Sequence, residues 1–292
     1  MSLAIVHSRA KLGIQAPVVT VEVHLANGMP SLTLVGLPET AVKESKDRVR
    51  SALQNANLDF PSLKRITINL APADLPKEGG RFDLAIALGL LAASGQIPAD
   101  SLEHCECLGE LALSGELRPI QGVLPAALAC REQQRTLLLP RANAAEAALV
   151  RGVHIIAADH LLELCEHLRG ERQLEPVPTD TQPQAATGLA DLIDVQGQAQ
   201  AKRALIVAAS GNHNLLLFGP PGTGKTLLAS RLPGILPALT EHEALEVAAI
   251  QSVCGGEPLQ AWPVRPFRSP HHGASAAALV GGGSTPRPGE IS

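Results

Sequence analysis

The chain has 292 residues, of which 45% are hydrophobic, 18% charged and only 2% aromatic, and its formal net charge is −4 at pH 7. This length predicts about two domains with aliphatic cores. The composition argues against a dedicated duplex-binding protein, which would carry a basic excess, and against a base-stacking single-strand binder. With no signal sequence and no apolar run of about 20 residues, no membrane association is expected and a cytoplasmic location is favoured.

Five scattered cysteines, an odd number, favour reduced thiols over a disulfide framework. The closest two, Cys105 and Cys107, have no second ligand pair at matching spacing, so buried thiols are a better interpretation than a metal site. The others are Cys130, Cys165 and Cys254.

Residues 1–170 alternate between strand and helix patterns, which predicts a mixed α+β domain. Residues 17–28 end in Asn-Gly, the dipeptide of tight hairpins, so residues 31–38 are expected to pair with them. Residues 39–57 are a predicted helix whose apolar face comprises Val42, Val49, Leu53 and Ala56. The remaining predicted strands are 65–70, two within 105–122 joined by Ser114-Gly115, 136–140 and 153–158; the remaining predicted helices are 82–95, 125–133, 142–150 and 159–169.

A proline-rich polar stretch, residues 171–187, predicts a linker to a second domain at 188–292. From Thr187 onward seven acids balance seven bases, so nucleic-acid binding would require local patches or assembly into a ring. The predicted elements after the linker are a helix at 197–211, a fully apolar strand at 214–218, a helix at 226–232 and a further helix that begins with a Thr240–Glu243 capping box.

The segment GPPGTGKT, residues 219–226, matches the phosphate-loop pattern G-x-x-x-x-G-K-[ST] between a predicted strand and a predicted helix. The glycines permit a backbone that turns its N–H groups toward phosphates, and Lys225 adds a mobile positive charge. Thr226 offers a hydroxyl to Mg²⁺. ATP and Mg²⁺ are therefore the expected cofactors, and the expected contacts are Gly219, Pro220, Pro221, Gly222, Thr223, Gly224, Lys225, Thr226 and Leu227.

The longer segment DVQGQAQAKRALIVAASGNHNLLLFGPPGTGKT resembles the start of an AAA+ ATPase module. In that family the xxGQ segment and the helix after it border the adenine. The resemblance implies base contacts from Asp194, Val195, Gln196, Gly197 and Gln198; a simple helix N-cap is the alternative interpretation.

Residues 68–98 and 108–130 resemble the Lon protease domain, which implies a Lon-like fold of the ribosomal S5 domain 2 type. The family's catalytic serine falls on Arg81 and its catalytic lysine on Ala126, so peptidase activity is not expected. A charged cluster next to glycines is either a binding surface or a turn and helix N-terminus held by a salt bridge. Its members are Lys77, Glu78, Arg81 and Asp83.

Over its full length the chain resembles the ComM/YifB family of magnesium-chelatase-like AAA+ ATPases, notably in VEVHLANGMPSLTLVGLPETAVKESKDRVRSAL and RPFRSPHHGASAAALVGGGSTPRPGEIS. The resemblance implies a hexameric ring that hydrolyses ATP and acts on DNA, by branch migration during natural transformation. Three alternatives stay open: a chelatase-type ATPase that remodels a protein partner, a nucleotide-binding module without turnover, and an ATP-dependent peptidase, which the missing dyad opposes.

The segment 265–283 is expected to form a loop that contacts DNA phosphates through Arg265, Arg268, His271 and His272. A metal site at the two adjacent histidines is the less favoured interpretation, because neighbours in sequence rarely converge on one ion. In the family, PGEIS precedes the strand that bears the acids for Mg²⁺ and water. We therefore assign no catalytic residue and expect this truncated chain to bind ATP–Mg²⁺ weakly at most, with little turnover.

Overall fold

The computed structural model describes residues 2–37, 39, 42, 44–179, 190–254, 263, 265–282 and 287–291, with backbone alone at 287–288. It divides into two compact units. The first comprises 1–181 and 249–258, and the second comprises 182–248 and 259–292. Of the predicted linker, residues 171–179 are described and residues 180–187 lie outside the described residues.

A mixed seven-stranded sheet organises the first unit, in the order β3-β4-β2-β1-β5-β8-β9. The pairs β1/β2 and β2/β4 are antiparallel, whereas the other four neighbouring pairs are parallel. A separate two-stranded hairpin, β6/β7, turns at Gly115. The strands are β1 (Ser2–Arg9), β2 (Val18–Ala26), β3 (Ser31–Val35), β4 (Arg65–Ala71), β5 (Cys105–Cys107), β6 (Glu110–Leu111), β7 (Leu117–Arg118), β8 (Thr136–Pro140) and β9 (His154–Ala158).

Strand β1 has no counterpart among the elements predicted from the sequence, yet it lies at the centre of the sheet. Its even residues Ala4 and Val6 are buried, while Leu3 and Ile5 on the opposite face are 59% and 48% exposed. Because apolar residues occupy both faces, the two-residue alternation that marks a half-buried strand is weak here.

The predicted hairpin between β2 and β3 is wrong. Strand β4 pairs with β2 from Thr20 to Ala26 and separates it from β3, which runs parallel to β4. Parallel neighbours require a crossover, and the connection from β3 to β4 contains the helix α1 (Ser45–Asn55). The Asn27-Gly28 dipeptide therefore turns the chain without forming a two-stranded hairpin.

Helices cover the sheet, and their buried faces follow the predicted spacing. Val42, Val49, Leu53 and Ala56 are all buried, which confirms the apolar face expected there. Helix α2 (Asp83–Ala93) is buried along its whole length, and a Cβ at Gly89 would lie 2.7 Å from Val23, so glycine permits its close approach to β2. The other helices of this unit are α3 (Val123–Glu132), α4 (Ala144–Ala147) and α5 (Leu161–Leu168), with single 3-10 turns at Ala99–Leu102 and Arg141–Asn143.

A buried ion pair links the antiparallel and parallel parts of the sheet. Between β1 and β5 a single residue pair, His7 and Glu106, is in register. Arg9 on β1 binds both carboxylate oxygens of Glu106 on β5, through Nε and Nη2, and both side chains are at most 3% exposed. Its Nη1 donates to the backbone carbonyl of Ala16 at 2.7 Å, and its Nη2 also donates to that of Ala129 at 3.1 Å.

The second unit contains short helices and little sheet. Residues 214–218 were predicted as a strand, but they pair with no described strand, and Leu216 and Phe218 are 84% and 90% exposed. A buried strand needs hydrogen-bonded neighbours on its edges, and apolar character alone does not supply them. The helices of the second unit are α6 (Ala199–Gly211), α7 (Lys225–Ala229), α8 (Leu232–Ile235) and α10 (Ala276–Val280), with a 3-10 turn at Leu192–Asp194 and the pair β10 (Gly281–Gly282) and β11 (Arg287–Pro288). Helix α9 (Glu241–Cys254) begins in this unit, and its residues from 249 onward are assigned to the first unit.

The predicted capping box at α9 is confirmed. The backbone N–H of Thr240 donates to Glu243 Oε2 at 2.8 Å, and the N–H of Glu243 donates to Thr240 Oγ1 at 3.3 Å. The cysteines are free thiols as expected, with all but Cys254 buried. No helix within the described ranges is long and apolar enough to cross a membrane.

We predict that Glu106→Gln lowers the free energy of unfolding by about 3–5 kcal/mol, because it leaves the buried Arg9 guanidinium without its counter-charge. The double variant Arg9→Met with Glu106→Leu should lose much less than the sum of its single changes. Urea titrations of the wild type, Glu106→Gln, Arg9→Met, Glu106→Leu and the double variant measure this. Additive losses would contradict a coupled pair.

A second prediction concerns pH. Burial lowers the pKa of His7, with smaller lowering contributions from Arg135 and Arg9 that outweigh the opposing effect of Glu106. The folded chain therefore takes up a proton at His7 less readily than the unfolded chain, so His7 favours folding above pH 6.5 and loses that contribution as pH falls. His7→Gln should flatten the fall in melting temperature from pH 7 to pH 5.5. An equal slope in both proteins would contradict this role.

Candidate nucleotide-binding site

The loop 219–226 owes its shape to three glycines. Gly219, Gly222 and Gly224 have φ angles of 147°, 79° and 80°, a region that side chains with a Cβ rarely adopt. The helix α7 begins directly after Gly224, at Lys225. Among the described residues, the backbone N–H groups of Gly222, Thr223 and Gly224 make no hydrogen bond. Gly222 and Thr223 are exposed and Gly224 is half-buried. Their N–H groups form a row of donors at the start of a helix, which is the arrangement that binds phosphate oxygens.

Lys225 folds back over this loop. Its Nζ donates to the carbonyl oxygens of Gly219 at 2.9 Å and Pro220 at 2.7 Å. Thr223 Oγ1 donates to the same Pro220 carbonyl at 3.0 Å, which braces the turn. The ammonium is therefore held beside the free N–H groups by weak neutral acceptors, which an anion would readily replace. Thr226 lies in the first turn of α7 and is exposed, so its hydroxyl is the available magnesium ligand at this helix start. These residues fit a Mg²⁺-bound phosphate chain.

Gln198 has a role that the sequence pattern did not reveal. Its Nε2 donates to the Thr223 carbonyl at 2.8 Å, so the residue before α6 holds the middle of the loop. Gln198 is the N-cap residue of α6 by position, and its carbonyl accepts from the Lys202 N–H at 3.0 Å, but its side chain makes no capping hydrogen bond. The backbone at Gly197 and Gln198 is left-handed, with φ of 64° and 55°, which directs the chain from the 3-10 turn into α6.

The other residues of the segment predicted to border the adenine differ in burial and in their contacts. Val195 is buried and packs with Leu192, Leu205 and Leu228 in the small core beneath the loop. Asp194 forms an ion pair of 3.3 Å with Arg231, just after α7. Gln196 and Gly197 are exposed. The contacts of Asp194 and Val195 tie the segment to the helix that follows the loop, an arrangement that sequence spacing alone could not indicate.

The four residues of the predicted DNA loop differ in their availability. Arg265 Nε donates to the Pro237 carbonyl at 2.7 Å, and its Nη2 lies 3.6 Å from Glu243, so this arginine anchors its segment to the start of α9. Arg268, 56% exposed at the side chain, lies 3.8 Å from Glu290. His271 accepts from the Gly273 N–H, and its ring lies 4.1 Å from that of His272. Within the described residues, no group of three or more metal-binding side chains occurs.

The charged cluster in the first unit is not an exposed surface. Lys77 and Asp83 are fully buried, and Arg81 is 5% exposed. Asp83, the first residue of α2, is bound by Arg48 of α1 at 2.8 Å and 3.1 Å, and Lys77 donates to the Pro72 carbonyl. A salt bridge at the helix N-terminus is thus confirmed, but its partner is Arg48, outside the predicted cluster.

Comparison with known proteins finds similarity over the whole length of this chain. The chain is 55% identical to the competence protein ComM of Haemophilus influenzae, 57% to the uncharacterized protein YifB of Salmonella typhimurium and 55% to YifB of Escherichia coli, each over all of its length. The chain belongs to the ComM/YifB family. It spans 58% of the length of these relatives. Residues 21–143 match the family described as subunit ChlI of Mg-chelatase, and residues 191–292 match magnesium chelatase, subunit ChlI.

Proposed function

We propose that the loop 219–226 binds ATP with Mg²⁺ and that the chain is the ATP-binding part of an oligomeric AAA+ ATPase that acts on DNA. One observation carries the nucleotide assignment: three adjacent backbone N–H donors without partners lie beside the Lys225 ammonium. Membership of the ComM/YifB family supports the assignment to the AAA+ class.

In this proposal the N–H groups of Gly222, Thr223 and Gly224 hold the phosphate oxygens. Lys225 exchanges the carbonyls of Gly219 and Pro220 for the β- and γ-phosphates. Thr226 donates its oxygen to Mg²⁺, which neutralises phosphate charge when bound. Gln198 occupies the Thr223 carbonyl, so this acceptor would not compete for the donors that hold the phosphates. Leu227, Pro220 and Pro221 complete the loop wall.

For the substrate, we propose branched DNA and a hexameric ring in the complete protein. The relative from Haemophilus influenzae is named a competence protein, and DNA branch migration in natural transformation is the role implied by the family resemblance. The second unit has no basic excess, so a ring would have to assemble its DNA surface from repeated local patches. Arg268 is the best candidate for such a patch, because it is more exposed than Arg265.

A second candidate is a chelatase-type ATPase that remodels a protein partner. It is favoured by the matches of both halves to the magnesium chelatase subunit and by the engagement of Arg265 and Arg268 with acidic residues. The two candidates share the nucleotide site and differ only in what the assembled ring contacts.

For the first unit we propose a Lon-like fold that serves a purpose other than peptide hydrolysis. The position of the Lon serine is Arg81, which cannot act as a nucleophile, and the position of the lysine is Ala126, which is buried. The mixed sheet flanked by helices is compatible with this assignment.

We predict that Lys225→Ala weakens ATP–Mg²⁺ binding by about 10-fold or more, because it removes a charge-assisted contact to phosphate. Gln198→Ala should weaken binding about 3- to 10-fold, because it removes the hydrogen bond from Gln198 to the Thr223 carbonyl. Gln200→Ala, an exposed change on the same helix, is the matched control. Isothermal titration calorimetry of the 292-residue chain measures all three. Equal affinity of the wild type and Lys225→Ala would contradict the assigned site.

For DNA, we predict that Arg268→Ala lowers the affinity for a four-way junction at low salt and reduces the slope of log K against log salt by about 1. Arg172→Ala, which changes an exposed arginine of the first unit, is the control for net charge. Unchanged affinity of Arg268→Ala at low salt would remove this arginine from the DNA surface and favour the protein-remodelling candidate.

A further inference from the structure

Arg81 is a buried cation whose hydrogen bonds are incomplete. Its Nε and Nη2 atoms are shielded from solvent and have no hydrogen-bond partner. Burial lowers the pKa of its guanidinium to about 10, and the neighbouring Glu78 carboxylate opposes that shift only in part. An unpaired buried charge is costly, and native proteins seldom keep one without a reason.

Two other buried or half-buried arginines in the same unit show what this edge of a guanidinium ordinarily binds. Arg9 uses Nε and Nη2 to hold the two oxygens of Glu106, and Arg48 uses Nε and Nη2 to hold the two oxygens of Asp83. The Nε–Nη2 edge is a two-pronged donor that matches the spacing of carboxylate oxygens. In Arg81 the same two atoms lack a carboxylate.

A cavity of about 280 Å³ lies against this side chain. Arg81 lines it together with Lys11, the backbone of Gly79 and Gly80, and the side chains of Glu78 and Glu110. The remaining wall is Pro119, Ile120 and Gln121. A Cβ at Gly80 would lie 2.6 Å from the Glu110 side chain, so glycine lets that carboxylate lie flat against the turn.

Other parts of the first unit hold Arg81 in place. Its carbonyl accepts from the Gly109 N–H at 3.1 Å, and the Gly80 carbonyl accepts from the Asp83 N–H at 2.9 Å. Glu110 is drawn toward Arg118, at 3.7 Å, on the neighbouring strand β7. The backbone around the guanidinium is therefore fixed at both ends, and the Glu110 charge is partly engaged elsewhere.

We propose that Arg81 and this cavity form a binding site for a single carboxylate group of a ligand, bound by the Nε–Nη2 edge of the guanidinium. The ligand enters through the cavity, and a small rotation of the Arg81 side chain brings the edge to it. The site lies wholly within the first unit and does not depend on the nucleotide proposal.

The charges of the cavity select the class of anion. Two cations, Lys11 and Arg81, face two acids, Glu78 and Glu110, so the lining is close to neutral. A dianion such as phosphate would be repelled by the two acids, whereas a monocarboxylate adds one charge opposite the unpaired guanidinium. Pro119 and Ile120 offer apolar contact to an aliphatic chain. The volume suits a short acid, which is either a free metabolite or the C-terminal end of a peptide.

The first experiment separates a binding role from a structural one. Arg81→Met should raise the urea midpoint of the 292-residue chain, because it replaces an unpaired buried charge by an apolar side chain of similar length. Arg48→Met should lower the midpoint, because it leaves Asp83 without its partner. If Arg81→Met lowers the midpoint as much as Arg48→Met does, Arg81 is a structural ion-pair member and the proposal fails.

The second experiment identifies the ligand group. The wild-type chain, labelled with ¹⁵N-arginine, is titrated with propionate, N-acetyl-alanyl-alanine, the C-terminal amide of the same dipeptide, and inorganic phosphate. The Arg81 Nε–H resonance, assigned by its loss in Arg81→Met, should shift with both acids and not with the amide. Tighter binding of the dipeptide acid identifies a peptide end, and equal or tighter binding of propionate identifies a free acid.

Two results would overturn the proposal. One is equal binding of the dipeptide acid and its amide, which would exclude recognition of the carboxylate. The other is a resonance that responds to phosphate more strongly than to either acid. Arg81→Lys, which keeps the charge and loses the two-pronged edge, should weaken binding of the acids by about 10-fold. If Arg81→Met does not fold, the loss of acid binding in Arg81→Lys tests the proposal instead.

Discussion

The Arg9–Glu106 ion pair is the interaction on which the first unit depends. Strand β1 is joined to β2 by eight residue pairs but to β5 by only one, so the backbone alone scarcely connects the two parts of the sheet. A guanidinium and a carboxylate bound at two points cannot shift by one residue without losing both hydrogen bonds. The carbonyls of Ala16 and Ala129 accept from two further N–H groups, which offsets part of the desolvation of the cation. The pair thus sets the register where main-chain pairing is sparse.

The same rule separates structural from functional arginines in this unit. A buried guanidinium is tolerated when a carboxylate occupies its edge, as Glu106 does for Arg9 and Asp83 does for Arg48. Arg81 has an equally buried edge without that carboxylate. Its charge therefore lowers the stability of the isolated fold, and the natural compensation is an acid from outside. In the second unit the free donors are instead backbone N–H groups, which are exposed and solvated, so they remain available at little cost.

Local signals in the sequence predicted local structure well. The apolar face that includes Val49 and Leu53, and the capping box of Thr240 with Glu243, depend on residues three to seven apart, and both are present. Pairing between distant segments was not predictable in the same way. The Asn27-Gly28 dipeptide indicates a turn but says nothing of β4, which lies between β2 and β3 because of contacts some 45 residues along the chain. The apolar run 214–218 likewise indicates a buried strand but does not show which strand it would pair with.

In the nucleotide loop, too, the sequence identified the residues of the motif but not the contacts that distant residues make with them. Its motif identifies Lys225 and Thr226, but the brace from Gln198 depends on a left-handed residue 25 positions upstream of Thr223. Beneath the loop, Leu192, Val195, Leu205 and Leu228 form only a small cluster, and the segment leading into it exposes Leu216 and Phe218. A cradle with so little packing beneath it is held mainly by hydrogen bonds within the loop. A ligand that adds contacts across Gly222, Thr223 and Gly224 would therefore stabilise this unit by mass action.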